Sequence, residues 1–269
     1  MVAIRKRKIG NETFFYLEHT LRVKGKVEKK EKYLGKEIPK DIENIKKIFF
    51  HELFKEKWHN SLNKIKKEFS EEYKRIPETA KEKYLENFLI KFTYNTNRIE
   101  GSTLTLKDTA NLLKEGISPK NKPVKNIREA ESHKKLFHIM LEHKKDLNLD
   151  VVLYWHKVLL ENVDKEIAGK IRDHQVAISG TSVHLPYPAE LNILLKEFFE
   201  WYAQNKNKTY PVELAALVHL KFVSIHPFTD GNGRISRILL NFVLNKNKFP
   251  MLDISYANRA SYYTALERS

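Results

Sequence analysis

A twelve-residue segment between two apolar-periodic stretches limits the fold of this 269-residue chain more than any other feature. The segment runs from His226 to Arg237 and reads His-Pro-Phe-Thr-Asp-Gly-Asn-Gly-Arg-Ile-Ser-Arg. Apolar residues recur at helical spacing before it, from Pro211, and after it, from Ile235. The pattern predicts a helix, a glycine-containing loop, and a second helix that begins inside the segment.

Glycines and arginines in this segment suit an anion site. Gly231 and Gly233 let the backbone approach a ligand closely, and the unpaired N–H groups at a helix start favour a phosphate. Arg234 and Arg237 are about one helical turn apart. We therefore expect both guanidinium groups to reach the same side and share a polyphosphate.

The same segment also contains a candidate metal ligand and a candidate general base. Asp230 offers a hard oxygen ligand of the kind that Mg²⁺ takes alongside phosphates and water. His226 has an ordinary pKa near neutrality and can accept a proton from an attacking hydroxyl. Separately, Asp-Gly-Asn-Gly is typical of a turn, and a histidine among apolar residues is typical of a core. Together they indicate phosphoryl or nucleotidyl transfer.

The complete segment resembles the signature of the Fic family, H-x-F-x-[D/E]-G-N-G-R-x-x-R, and matches every fixed position. The resemblance implies that His226 deprotonates a Ser, Thr or Tyr hydroxyl of a protein. It also implies that Asp230 binds the Mg²⁺ that bridges the α- and β-phosphates of ATP. AMP is then transferred and pyrophosphate leaves. The kinase-like Doc relatives depart from the Gly-Asn-Gly-Arg portion and this chain does not, which favours AMP transfer.

The resemblance also assigns nucleotide contacts. It implies an anion hole formed by Gly231, Asn232 and Gly233, with Asn232 touching the α-phosphate. It implies that Arg234 and Arg237 hold the β- and γ-phosphates. Further along the chain, relatives place residues against the adenine and ribose, and the candidates here are Asn258, Tyr262 and Tyr263.

An acidic residue upstream predicts a regulatory contact. The helical pattern from Glu78 to Ile99 ends at Glu100, where the helix dipole disfavours a carboxylate by ~0.3–1 kcal/mol, so we expect a cation elsewhere to pair with it. The run from Thr96 to Gly101 resembles the inhibitory motif [S/T]-x-x-x-E-[G/N] of Fic proteins. The resemblance implies that Glu100 pairs with Arg237 and suppresses transfer. The alternative is a surface glutamate at a frayed helix end.

A short β-branched stretch predicts a hairpin before the main segment. Residues 176–183 have a turn signal at Ser179-Gly180. In Fic proteins a flap hairpin at this place holds the target by adding a strand. The docking residues predicted here are Val176, Ala177, Ile178, Ser179, Gly180, Thr181, Ser182 and Val183.

Capping residues in the sequence predict where other helices begin and end. Thr105 to Asp108 is a capping-box-like helix start, and Gly116 closes that helix. Asp150 is the predicted N-cap of a helix over Val151–Glu161. Four histidines do not match a metal pattern and are interpreted as packing or surface residues: His133, His138, His143 and His156.

The whole chain is predicted to be mainly α, with a Fic-type helical core, a β-hairpin flap and a small N-terminal β-meander. The predicted divisions are a basic meander over residues 1–40, a helical connector over 41–78, and the Fic core with its inhibitory helix over 79–269. Residues 1–40 hold 12 Lys and Arg against 5 Asp and Glu, a large share of the net charge of +15. This meander is either a solvated face, which we favour, or a nucleic-acid-binding tail.

Composition narrows the compartment and the partners. The chain has no cysteine, which excludes disulfides and thiolate metal sites. It shows no signal-peptide pattern and no apolar run of roughly 20 residues, so we expect a cytoplasmic protein without a membrane span. The expected partners are ATP and an unidentified protein target, for which the chain itself is one candidate, and a homodimer is compatible with the relatives. Two rival functions stay open: hydrolysis of AMP from a modified protein, and a nucleic-acid-binding or adaptor role for the meander.

Overall fold

The computed structural model describes residues 2–23, 26–177 and 184–267. Most of these residues are helical and three described segments form one antiparallel sheet, which confirms the predicted mainly α fold. The chain divides into two compact units, Met1–Glu68 and Phe69–Ser269, and the division falls inside the long helix α1 (Ile42–Arg75).

The sheet of the first unit is the predicted meander. It is formed by β1 (Ala3–Ile9), β2 (Glu12–Val23) and β3 (Lys26–Gly35) in the order β1-β2-β3. Successive residues of a strand point to opposite faces, and on β2 the buried residues Leu17 and His19 share one face. Phe49 of α1 is buried as well. His19 contacts Phe50 of the same helix edge-on, with ring centroids 5.8 Å apart, so this face of the sheet packs on α1.

The opposite face of the sheet carries charges of both signs. Glu18 of β2 lies across from Glu31 of β3, and Arg7 forms an ion pair with Glu31. Lys29 Nζ lies 2.6 Å from Glu18 Oε2. These ion pairs reduce the net positive charge that this face presents to an anionic partner.

The second unit is helical. Its helices carry the apolar periods that predicted them: α2 (Glu78–Ile99), α3 (Leu106–Glu115), α4 (Val124–Glu142), α5 (Leu149–Leu160), α6 (Leu191–Asn205), α7 (Pro211–Ile225), α8 (Asn232–Lys246) and α9 (Arg259–Glu267). Single 3₁₀ turns, Pro188–Glu190 and Tyr256–Asn258, precede α6 and α9. Across the described ranges, no helix combines the length and the apolar character that a membrane span requires.

Helix α8 lies at the centre of this unit. It contacts α2, α4, α5 and α7, and most of its residues are buried, among them Ile235, Ile238 and Leu239. A helix enclosed on this scale must bury its polar residues too, and Arg234 and Arg237 are 1% and 2% exposed. Buried charges require partners inside the protein. The site is therefore built around what these two arginines contact.

Helix caps test the local predictions. The Thr105 hydroxyl accepts from the N–H of Asp108 at 3.0 Å while the Asp108 carboxylate accepts from the N–H of Thr105 at 3.0 Å, which confirms the capping box. The predicted cap of α5 is wrong. Asn148, not Asp150, caps α5 by accepting from the N–H of Val151 at 2.9 Å. Both residue types cap well, and Asp150 sits in the first turn, where the helix dipole favours a carboxylate.

The predicted hairpin is only partly within the described residues. Val176 and Ala177 are described and do not belong to a strand. Residues 178–183, which include the turn at Ser179-Gly180, lie outside the described residues. The flap stays a prediction.

Candidate active site

His226 stands at the junction of α7 and the glycine-containing loop. It ends α7 in the left-handed region, with φ 51° and ψ 56°, which costs a residue with a Cβ ~1–2 kcal/mol. Its Nδ1 lies 3.2 Å from the carbonyl oxygen of Val223. A carbonyl only accepts, so the proton of the neutral ring is on Nδ1, and Nε2 keeps its lone pair.

The surroundings of His226 favour that neutral form. Burial lowers the pKa of His226, and the positive charge of Arg172 lowers it further. The bond to Val223 and the charges of Glu100 and Asp230 act in the opposite direction, but the pKa stays below its ordinary value. The ring is therefore unprotonated at neutral pH and can accept a proton at Nε2.

Arg172 fixes the backbone around His226. Its Nε donates to the carbonyl of His226 at 2.9 Å, Nη1 to that of His174 at 2.9 Å, and Nη2 to that of Pro186 at 2.6 Å. Its main-chain N–H donates to the carbonyl of Pro227 at 2.9 Å. The sequence alone assigns no role to Arg172, because nothing local reveals a partner 54 positions away.

His156 of α5 supports the loop from the other side. Its Nδ1 accepts the N–H of Gly169 at 2.9 Å, so its Nε2 carries the proton and donates to the carbonyl of Asp230 at 3.0 Å. Burial lowers its pKa to about 4, and its ring stacks on Phe228 with centroids 3.7 Å apart. Gly231, at φ 82°, lies so close that a Cβ there would stand 3.4 Å from this ring. His156 is a packing residue, as expected, and also a hydrogen-bond support that the sequence did not reveal.

Asn232 closes the loop on itself. Its Oδ1 accepts the N–H of Phe228 at 2.9 Å and its Nδ2 donates to the carbonyl of Phe228 at 2.7 Å. Asn232 also begins α8, so its N–H is one of the unpaired donors at the helix start. The main-chain N–H of Asn232 is therefore a donor that the start of α8 offers to an anion.

The buried Arg234 pairs with the partly exposed Asp230 and reaches Glu129 of α4. Arg234 Nη1 donates to Glu129 Oε1 at 3.0 Å, and Nη2 donates to Asp230 Oδ1 at 3.0 Å. Burial would raise the pKa of Asp230, but the charge of Arg234 and a bond from the N–H of Gly231 outweigh it and keep that pKa below its usual range. Asp230 is therefore ionised at neutral pH.

Asp230 has one carboxylate oxygen that can face a Mg²⁺ ion. The bonds from Arg234 and Gly231 both fall on Oδ1, and the side chain is 40% exposed, so Oδ2 is available to a cation. Among the described residues no group of three or more His, Cys, Asp or Glu could hold a metal ion. One carboxylate oxygen fits Mg²⁺, which keeps several waters and takes phosphate oxygens as its other ligands.

Arg237 is held on α8 by the end of α2. Its Nη2 donates to Glu100 Oε1 at 2.5 Å and its Nε to Thr96 Oγ1 at 2.6 Å. Its Nη1 lies 3.3 Å from the hydroxyl of Tyr262. Arg234 has other acidic partners, so the two guanidinium groups do not share one anion in this structure, and a shared polyphosphate stays a prediction for the nucleotide-bound protein.

The Glu100 carboxylate lies at the start of α8. A Cβ at Gly233 would collide with Glu100 Oε1, so the missing side chain of Gly233 is what lets the carboxylate approach. The helix N-terminus favours negative charge, and Arg237 adds a full positive charge beside it. This contact explains why a carboxylate is tolerated at the C-terminal end of α2, and it confirms the predicted pairing of Glu100 with Arg237.

The residues assigned to adenine and ribose lie around α9. The hydroxyl of Tyr262 is 2.9 Å from Nε2 of His219, whose pKa burial lowers to about 3. The hydroxyl of Tyr263 lies 3.4 Å from the carbonyl of Ile99, directly before Glu100. Asn258 is exposed and ends the 3₁₀ turn before α9. Both tyrosines therefore lie near the Glu100–Arg237 pair.

Comparison with known proteins identifies relatives for most of the second unit. The Fic/DOC family model matches residues 146–244, which include His226 and Arg237 but not Glu100. The protein adenylyltransferase fic-1 of Caenorhabditis elegans is 33% identical over 195 residues, which cover 70% of this chain and 38% of that protein. The chain therefore spans little more than a third of the length of this curated relative.

Solved structures agree with the sequence match. A fragment of Fic-1 from C. elegans has a TM-score of 0.71 and 28% identity, covering 81% of this chain and 65% of that chain. A Fic domain containing signaling protein from Bacteroides thetaiotaomicron has a TM-score of 0.70 and 27% identity, covering 78% of this chain and 80% of that chain.

Proposed function

The chain carries a Fic/DOC family domain, and from this premise we propose that it is a protein adenylyltransferase that moves AMP from ATP to a Ser, Thr or Tyr hydroxyl of a protein. The observation that carries the proposal is the loop from His226 to Asn232. At one end of the loop is a neutral histidine with its proton on Nδ1, and at the other is the N-terminus of α8, beside which the Glu100 carboxylate lies.

His226 acts as the general base in this scheme. The acceptor hydroxyl attacks the α-phosphorus of ATP while Nε2 takes its proton. A bond forms between the hydroxyl oxygen and phosphorus, the bond between the α-phosphorus and the bridging oxygen breaks, and pyrophosphate leaves. The lowered pKa of His226 keeps the base unprotonated before each turnover.

The start of α8 binds the phosphates in the same scheme. The main-chain N–H groups of Asn232 and Gly233 and the side chain of Arg237 supply donors and positive charge. Asp230 Oδ2 is the position for Mg²⁺, which neutralises phosphate charge when bound. Arg234, held between Glu129 and Asp230, keeps that carboxylate oriented.

Glu100 restrains the reaction by competition. Its carboxylate and the γ-phosphate are both anions that the Arg237 guanidinium can hold, and both suit the positive end of α8. While Glu100 stays bound to Arg237, ATP has no free guanidinium for its γ-phosphate. Removing the carboxylate therefore frees the productive position.

Intact-mass measurement tests this function. The proteins compared are wild type, Glu100→Gly and Glu100→Gly/His226→Ala, each incubated with ATP and Mg²⁺. Glu115→Gly is a matched control, because it also replaces an exposed glutamate at the C-terminal end of a helix. We expect added AMP on Glu100→Gly alone. If Glu100→Gly stays as unmodified as the wild type, also with protein acceptors supplied, the proposed restraint is wrong.

Hydrolysis of AMP from a modified protein is the second candidate. The Glu100 side chain is 31% exposed while it pairs with Arg237, so its carboxylate can also accept a hydrogen bond from a water. In that activity Glu100 assists rather than restrains. The two functions give opposite results for Glu100→Gly with an AMP-modified protein: release of AMP stops if Glu100 orients the water.

A further inference from the structure

One buried arginine has no part in the chemistry proposed above. Arg172 is 3% exposed, and its three guanidinium nitrogens donate to the carbonyls of His226, His174 and Pro186. Burial lowers its pKa, so the protein bears a desolvation cost to keep a cation there. A buried guanidinium usually has a carboxylate partner. Here three carbonyl dipoles take that place.

The three carbonyls come from separate parts of the chain. His174 and Pro186 flank residues 176–183 on either side, and His226 ends α7. The rigid planar fork of an arginine can hold three acceptors in fixed directions, whereas the single nitrogen of a lysine cannot. The arrangement therefore specifies arginine by geometry and not only by charge.

The contact to His226 bears on the orientation of its ring. His226 adopts a left-handed backbone that a residue with a Cβ seldom takes. Arg172 holds two consecutive carbonyls there, that of His226 through Nε and that of Pro227 through its main-chain N–H. From this backbone the ring turns back towards α7 and donates Nδ1–H to Val223. If the backbone relaxes, that bond and the choice of ring tautomer are lost with it.

We propose that Arg172 is a positioning residue for His226, which fixes the backbone of the general base so that Nε2 is the nitrogen free to accept a proton. The inference rests on the proposed function for the role of His226, but the contacts that carry it are independent of the reaction. The guanidinium acts through the histidine and touches neither nucleotide nor acceptor.

The charge of Arg172 adds a separable effect. It lowers the pKa of His226 in addition to burial, while Val223, Glu100 and Asp230 act in the opposite direction. Loss of the charge alone would therefore raise that pKa, whereas loss of the bond to Val223, the larger of the two effects, would lower it. Arg172→Met removes both the charge and the fork, and Arg172→Lys removes the fork only.

Nuclear magnetic resonance tests the proposal without any turnover. The ¹⁵N shifts of the His226 ring are assigned by comparison with His226→Gln, and they report which nitrogen carries the proton. We expect the Nδ1–H form in wild type and mixed tautomers in both Arg172 variants, with the pKa of His226 lowered in Arg172→Lys because the bond to Val223 is lost while the positive charge stays. A ring that keeps the Nδ1–H form in both variants overturns the proposal. If Arg172→Met does not fold, Arg172→Lys decides by its tautomer.

Kinetics in the Glu100→Gly background give the second readout. We expect Arg172→Met to lower kcat for AMP transfer by about 10²-fold, the usual cost of a misplaced catalytic group, with KM for ATP changed less than about twofold. Lys170→Met is the matched control, since it removes an exposed charge two residues away. A rise in the KM for ATP as large as the fall in kcat, or full kcat in Arg172→Lys, contradicts positioning.

The magnetic resonance measurement distinguishes a failure of this inference from a failure of the proposed function. If Glu100→Gly itself transfers no AMP, the adenylyltransferase proposal fails, and the tautomer of His226 still decides the role of Arg172.

Discussion

Replacing Glu100 by glycine should make the protein less stable alone and more responsive to ATP. The Glu100 carboxylate is the charged partner of Arg237, whose side chain is 3% exposed. Arg237 keeps its bonds to Thr96 and its contact with Tyr262 in the variant, so the site loses one interaction and not its framework. Glu100→Gly therefore isolates the competition between a carboxylate and a phosphate for one guanidinium.

The magnitude follows from that one interaction. A hydrogen bond to a charged group contributes ~1.5–3 kcal/mol, so the free energy of unfolding should fall by about that amount without ligand. ATP no longer has to displace the carboxylate, and its affinity should rise by roughly 10- to 100-fold. At an ATP concentration far above both dissociation constants, the variant therefore gains about 1.5–3 kcal/mol more than the wild type.

Thermal unfolding with and without ATP and Mg²⁺ measures both effects. All proteins carry His226→Ala, so that no AMP is transferred during the scan, and Glu115→Gly serves as the control glutamate. We expect the Tm of the Glu100→Gly protein to lie several degrees lower without ATP and to rise more than that of its parent when ATP is added. An equal rise in the two proteins would falsify the idea that Glu100 competes with the nucleotide.

Four further outcomes are expected. Gly233→Ala should break the Glu100–Arg237 pair without restoring activity in the intact-mass assay, because its methyl group occupies the space at the start of α8 that an anion needs. The pH–rate profile of Glu100→Gly should keep its activity below pH 6.5 and lose it as pH falls through the lowered pKa of His226; an acidic limb above pH 6.5 contradicts this. Burial lowers the pKa of His133 to about 3, so the neutral ring favours the folded state fully above pH 6.5 and this stabilisation is lost as pH falls towards 3. In His133→Gln, the free energy of unfolding measured with urea should therefore fall less steeply between pH 6.5 and 3, by about 1.4 kcal/mol per pH unit. Thr105→Ala should lower the free energy of unfolding by ~1 kcal/mol in the same assay, because the capping box is lost. An unchanged free energy of unfolding would mean that packing against other helices, and not the cap, stabilises the start of α3.

The sequence predicted those features whose signals are local. Apolar spacing and the caps at Thr105 and Gly116 gave helix positions, because a helix and its ends are decided within a few residues. The wrong N-cap of α5 has a local cause too. Asn148 and Asp150 lie two residues apart, and residue type alone does not decide which of them caps the helix.

Long-range contacts were predictable only where a residue was locally out of place. Glu100 was such a residue, because a carboxylate at the C-terminal end of a helix predicts a cation nearby; the resemblance to the Fic motif, and not the helix end, named Arg237, which lies 137 positions away. Arg172 and His156 gave no such signal. An arginine in a loop and a histidine on an apolar helix are ordinary locally, and their roles arise from carbonyls 54 and 74 positions away.

The two hydrogen bonds between Asn232 and Phe228 tie the anion loop to the folding of the core. Phe228 is buried, stacked on His156 and packed near Phe222, so the loop cannot open without disturbing α5 and α7. The N–H of Phe228, which donates to Asn232, therefore belongs to the most protected class of backbone amides, whose hydrogens exchange only through large-scale unfolding. Nucleotide binding should accordingly persist on heating until the whole domain melts, with no earlier step in which the site alone is lost.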